Sequence, residues 1–221
     1  MQSTRREVLQ GMALAAGAVI LVPAVSACTK KDGASVLANA DPATRVPQVI
    51  PRNWDPIEFN IVRGNAGHIP ASYLPDVNGP NGSWDHVGKH LPYVVTLDGG
   101  ETPEGYVALM WGDQEKGHTP HPNERRGEAN NYEGHWYNWI RIRKATLSEA
   151  EELQSTYSEW PGLADGDSGA FAVHGGGDIE ADGGRQTIYL AALPSDVQSG
   201  DIVRIHAHCL THGEYVDFVQ I

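Results

Sequence analysis

From residue 57 onward the chain is written in short alternating stretches. Ile57-Glu58-Phe59-Asn60-Ile61-Val62 sets apolar and polar side chains in turn, the period-two signature of a half-buried strand. Comparable stretches follow at Pro92 to Leu97, Tyr106 to Trp111, His135 to Arg143, Gly169 to His174, Thr187 to Leu193, Ile202 to His208 and Tyr215 to Ile221. Turn clusters separate them: Asn78-Gly79-Pro80-Asn81-Gly82, Asp98-Gly99-Gly100, Gly175-Gly176-Gly177 and Asp182-Gly183-Gly184. Seven or eight short strands with such punctuation predict an all-β domain, a sandwich or a barrel. One or two helical turns are expected within Thr146 to Thr156, where Ser148 can cap and Glu149, Glu151 and Glu152 suit the positive end of a helix. There is no repeat, heptad or phosphate-binding glycine loop.

The first residues do not follow this pattern. Thr4-Arg5-Arg6-Glu7-Val8-Leu9 resembles a twin-arginine export motif, and the apolar run Met12 to Pro23 follows it. That run is shorter than the roughly 20 residues a bilayer span needs, so it reads as a signal-peptide core. Val25-Ser26-Ala27-Cys28 resembles a lipobox, in which Cys28 would be acylated. Each acyl CH₂ buried in a membrane contributes about 0.8 kcal/mol, so several chains on Cys28 make an anchor. The expected organisation is a signal peptide over 1–27, a tether over 28–55 and one β domain over 56–221. The expected location is periplasmic or cell-surface, on a membrane-anchored lipoprotein.

Charge narrows the choice of partners. The formal charge of −12 becomes −13 once Arg5, Arg6 and Glu7 are removed with the signal peptide. A surface this acidic repels a phosphate backbone, which argues against nucleic acid as a ligand. Any anion the protein uses must be drawn in by a local positive group. There are two cysteines, and with Cys28 assigned to the lipobox, Cys209 has no disulfide partner in the chain.

The ten histidines cluster. His86, His90, His118, His121 and His135 lie within fifty residues, and His206, His208 and His212 surround Cys209. Strand alternation places Val203, Ile205, Ala207 and Cys209 on one face of Ile202 to Cys209, and Arg204, His206 and His208 on the other. Cys209-x-x-His212 lets a sulfur and an imidazole converge from one tight turn. A thiolate with several imidazoles and no carboxylate-rich loop suits iron, copper or zinc rather than calcium or magnesium.

Four short elements carry a resemblance. Cys209-Leu210-Thr211-His212-Gly213 is similar to the Cys-Asn-x-His-Gly signature of superoxide reductases of the desulfoferrodoxin and neelaredoxin family. His121-Pro122-Asn123 resembles that family's His-Pro-Asn element, and His135-Trp136-Tyr137-Asn138-Trp139-Ile140 resembles its His-x-x-x-Trp-Ile strand. Lys89-His90-Leu91-Pro92 resembles its Lys-His-x-Pro loop. These elements occur in the family's order across residues 88–213, and residues 29–80 are not covered.

The resemblance implies an immunoglobulin-like sandwich of about seven strands with loop insertions. It implies one iron per chain, with His90, His121, His135 and His212 as equatorial ligands and Cys209 as the axial one. It implies one-electron reduction of superoxide to hydrogen peroxide, with electrons from a separate donor protein; a homo-oligomer is compatible with it. Lys89 would draw in the anion and organise water for proton delivery. At an effective dielectric of about 20, a unit charge 4 Å away contributes about 4 kcal/mol, so one lysine can outweigh a diffuse acidic surface.

The chain departs from the family at two places. Gly88 stands where many members carry a glutamate, with Asp85 near but out of register, and residues 125–134 read as an insertion between the second and third ligands. Competing ligands are His68 in place of His90 and His118 in place of His121. His86 and His174 are expected to be ordinary loop or surface residues, and Trp136, Tyr137 and Trp139 to be packing residues. Two other functions compete: a cupredoxin-like copper electron carrier, disfavoured because no Met follows His212, and a non-catalytic metal-binding lipoprotein on the same fold.

Overall fold

A computed structural model describes residues 45–80, 83–125, 134–160 and 169–221. The expected signal peptide and lipobox, including Cys28, lie outside these residues, as do residues 126–133 of the expected insertion. No helix among the described residues is long and apolar enough to cross a membrane.

Among the described residues, eight strands form two antiparallel sheets. They are β1 (Pro92–Val94), β2 (Tyr106–Trp111), β3 (Tyr137–Lys144), β4 (Glu152–Thr156), β5 (Ala170–Val173), β6 (Thr187–Ala192), β7 (Ile202–Cys209) and β8 (Gly213–Gln220). One sheet has the order β1-β2-β6-β5 and the other β4-β3-β7-β8. Both contribute to one apolar core: Val107, Leu109 and Trp111 from β2 and Tyr189 and Ala191 from β6 join Ile140 and Ile142 of β3 and Val203, Ile205, Ala207 and Cys209 of β7. This is the arrangement of a β-sandwich, and the alternation read along β7 holds. Each fully buried aliphatic side chain contributes about 1.5–3 kcal/mol relative to exposure.

Two expected elements change type. Ile57 to Val62 is not a strand but part of helix α1 (Pro56–Arg63). The Asp55 carboxylate accepts hydrogen bonds from the N–H groups of Ile57 and Glu58 at 2.9 and 3.0 Å, and Pro56 occupies the first turn, where its missing N–H costs nothing. At helical spacing Ile57 and Ile61 reach the same apolar cluster, with Ile69, Val77, Val87, Leu91 and Tyr215. The expected helix at Thr146 to Thr156 is replaced by coil and then β4. The Ser148 N–H and hydroxyl both bond the Thr146 hydroxyl rather than capping a helix, and Glu152 to Thr156 pair with Arg143 to Trp139.

Helix α1 lies along β8, the outer strand of its sheet. The Asn60 carboxamide accepts from the N–H of Val216 at 2.9 Å and donates to its carbonyl at 2.8 Å, completing backbone bonds that an edge strand otherwise exposes. Packing extends into the stretch read as a tether. Trp54 donates to Asp217 at 2.7 Å and its ring meets Phe59 and Phe218.

Strand register fixes where chemistry can gather. Pro92 pairs with Trp111, and Cys209 pairs with both Tyr137 and Gly213. The start of β1, the end of β2, the start of β3 and the β7–β8 turn therefore carry His90, His121, His135, Cys209 and His212 to one end of the sandwich.

Candidate metal centre

Each ligand-bearing turn is locally determined. His90 ends a short 3-10 turn, Gly88–His90, and its Nδ1–H donates to the His86 carbonyl at 2.5 Å, leaving Nε2 as a bare donor atom. The N–H of His121 bonds the Trp111 carbonyl at 3.0 Å, tying it to the end of β2. Asn123, two residues on, donates to the carbonyls of His121 and Gly184 at 3.1 and 2.8 Å and accepts from the Tyr189 hydroxyl at 2.5 Å. Glu124 and His135 exchange backbone hydrogen bonds at 3.0 and 2.9 Å, which joins the second and third histidine segments. The Cys209–His212 turn is held against β3: the Leu210 N–H donates to the Trp136 carbonyl at 3.0 Å and the Thr211 hydroxyl to the Gly134 carbonyl at 2.6 Å. Gly213 closes the turn with φ +86°, and a Cβ there would stand 2.3 Å from the His68 carbonyl oxygen. No other residue fits.

The five expected ligands converge. One donor atom from each of His90, His121, His135, Cys209 and His212 lies within 4.8 Å of every other, and all five residues are buried. The imidazoles stand at the corners of a square. Ring centroids around its edge are 4.9 Å (His90–His121), 4.4 Å (His121–His135), 4.5 Å (His135–His212) and 4.8 Å (His212–His90). The His90–His135 diagonal is 6.4 Å, close to the √2 ratio a square requires. Cys209 Sγ lies 3.6 Å from His212 Nδ1, which is itself 3.1 Å from His90 Nε2.

The electrostatics fit a bound cation. Burial drives all four imidazoles toward the neutral form: His212 to about 2, His135 to about 3, and His90 and His121 well below the ordinary value. Both ring nitrogens of His121 and Nε2 of His135 are buried with no hydrogen-bond partner, and ligation would satisfy one nitrogen of each ring. Burial pushes the Cys209 thiol up to about 12 against the opposing effect of the Thr211 and His212 backbone N–H groups and the Lys89 charge. A thiolate at neutral pH therefore calls for a cation beside it. A buried cluster of four histidines and one cysteine that could hold a metal ion is the chemical centre of this fold.

The remaining candidates fall elsewhere. His68 is outside the cluster and pairs with Glu214 at 3.5 Å. His118 is also outside it; its ring packs on Trp84 and lies so close to Gly88 that a Cβ there would stand 2.2 Å from Nδ1. The place a glutamate side chain would leave from is filled by His118. His174 is a surface residue paired with Asp98. His86 does not match its expected surface role: it is 7% exposed, with ring centroids 5.0 Å from His90 and 4.8 Å from His212. Lys89 is partly buried beside the cluster. Burial lowers its pKa, and the Cys209, Asp76 and Asp85 charges oppose that shift. Lys89, His86, Asp76 and Asp85 line an open cleft of about 510 Å³.

Two residues at the site carried no sequence signal. The Tyr215 ring stacks on His90 at 4.1 Å and 7°, and the edge of Tyr73 meets His212 at 4.4 Å. Tyr215 shares the strand parity of Gly213, which places it on the ligand side; Tyr73 lies in a segment with no periodic pattern. No protein-family model, no curated protein and no solved structure matches the chain.

Proposed function

We propose that the chain is a superoxide reductase in which His90, His121, His135, His212 and Cys209 would hold one iron. The observation that carries this reading is the square of four neutral imidazoles with a single buried thiol beside it. Structural zinc takes a tetrahedron, and blue copper a trigonal pair of histidines with cysteine, and neither arrangement uses four imidazoles in a square. The ordered resemblance of residues 88–213 picked out the same five ligands and supports an immunoglobulin-like form of the sandwich. Bound there, iron would supply the one electron that superoxide takes up. The chain's own groups do the rest. Lys89 draws the anion into a cleft it shares with Asp76 and Asp85 and holds water for the two protons that complete hydrogen peroxide. The Thr211 and His212 N–H groups stabilise negative charge on Cys209 Sγ. The twin-arginine and lipobox motifs support an exported, lipid-anchored protein receiving electrons from a donor protein.

Purified full-length protein is expected to contain about one iron per chain and, oxidised, to show a sulfur-to-iron charge-transfer band that Cys209→Ser abolishes. It should consume superoxide and yield peroxide without releasing dioxygen. Stoichiometric copper with no iron, in protein isolated from its native compartment, would contradict the proposal.

A further inference from the structure

His86 touches the ligand set through two arms. Its backbone carbonyl accepts the Nδ1–H of His90 at 2.5 Å. Its ring is 3.2 Å from the Tyr215 hydroxyl through Nε2. That hydroxyl donates to the His212 carbonyl, also at 3.2 Å. A carbonyl only accepts, so the phenol proton is committed to His212 and the phenol oxygen must accept from His86; Nε2 therefore carries the hydrogen. The result is one directed chain, from His86 Nε2–H to Tyr215 and from Tyr215 to the turn that bears Cys209 and His212. Tyr215 also lies flat on His90, and Tyr73 meets both His86 and His212. None of these side chains is in the ligand set.

We infer that His86 and Tyr215 are positioning residues that lock the Gly88–His90 turn to the Cys209–His212 turn, so that His90 and His212 present their nitrogens to one ion as a unit. This rests on the five-residue cluster being a metal centre. The reason is chelate preorganisation. His90 and His212 are 122 positions apart in sequence, and adjacent corners of the square must be held together before the ion arrives. Groups that orient ligands in this way typically alter metal affinity by about 10–100-fold.

The test uses Co²⁺ alone as the probe, titrated into the metal-free full chain against a competing chelator and read through its visible and thiolate charge-transfer bands. His86→Ala keeps the carbonyl that orients His90 and removes the arm to Tyr215 together with the ring's contacts on Tyr73, His90 and His212, which His86→Gln replaces in part; Tyr215→Phe keeps the stacked ring and removes only the hydroxyl. Each is expected to weaken Co²⁺ binding about tenfold. The double variant should be no weaker than the weaker single one, because both cut the same chain. His86→Gln, whose amide N–H can reach the same phenol oxygen, should restore affinity, while thermal midpoints of the metal-free proteins track folding separately. Wild-type affinity in both single variants, or losses that add in the double, would overturn the inference. Failure of the wild type to bind Co²⁺, or binding indifferent to Cys209→Ser and His90→Ala, would instead remove the metal centre itself.

Discussion

Lys89 works against its immediate neighbours. Its ammonium is the cation of the cleft, but Asp76 and Asp85 line the same walls, so the local field is a balance rather than a simple attraction. Lys89→Ala is expected to leave metal content unchanged and slow the second-order reaction with superoxide at least about tenfold at low ionic strength. The loss should shrink as salt rises, since screening acts over about 8 Å at physiological strength. Asp76→Asn and Asp85→Asn should act in the opposite sense. Pulse radiolysis across salt concentrations reads all three, and equal rates for wild type and Lys89→Ala at every concentration would take Lys89 out of the mechanism. At this scale the five clustered residues were legible because a site that could hold a metal constrains residue type and spacing together: Cys209-x-x-His212 is local, and His121-Pro122-Asn123 carries its own clamp. His86 was not legible because its role is made through Tyr215, 129 residues away. A histidine looks the same in sequence whether it is buried or exposed.

Elements were legible where alternation met a partner strand and illegible where capping overrode it. β2, β6 and β7 were legible as strands because each is flanked by strands on both sides and sends alternate residues into the core between the sheets, while the other face of β2 and β6 is buried in a second cluster with Ala108, Met110 and Ile188. Ile57 to Val62 alternates equally well, yet Asp55-Pro56 commits it to a helix before any strand can pair. That helix acts through Asn60, which supplies both missing backbone partners of Val216. Asn60→Ala removes them together, and each orphaned backbone group costs about 1–3 kcal/mol. A loss of about 2–6 kcal/mol in denaturant unfolding is expected, with the denaturant slope unchanged. A loss below about 0.5 kcal/mol would mean that water replaces the carboxamide at no cost. The Gly64–Pro70 segment has a second effect, since it leaves room for nothing larger than glycine at Gly213. Gly213→Ala combines a positive φ with a 2.3 Å overlap and should disrupt the Cys209–His212 turn, read as lost Co²⁺ binding.

Across the whole molecule, acid acts through the buried rings. His86 titrates at about 4, His135 at about 3 and His212 at about 2, with His90 and His121 also far below 6.5, because burial disfavours their charged forms. The unfolded chain takes up protons that the folded metal-free chain refuses. The stability these rings contribute is therefore complete above pH 6.5 and declines as pH falls below it, by up to about 1.4 kcal/mol per pH unit for each ring. Glu214, held near 2 by its hydrogen bond from His206, adds a loss that begins below about 4.5. Asp217 has the opposite sign: burial raises it to about 6, so its contribution is present below 3.8 and fades as pH rises through 6. One carboxyl does not offset five rings. The thermal midpoint of metal-free protein should fall steeply from pH 6.5 to 5, and a flat midpoint there would show that the rings are not buried and neutral.

The two ends of the sandwich are also unequal. All five candidate ligands sit at the end where β1 and β3 begin, while among the described residues the opposite end, where Lys144 pairs with Asp201, has ordinary strand pairing and no such cluster. On the proposed metal centre, amide protons around His90, His121 and His212 should trade with solvent deuterium far sooner in metal-free than in metal-loaded protein, while those of Ile142, Val203 and Val219 keep their pace. Metal removal would then read as a wave of deuteration that enters at one pole and stalls halfway along the strands.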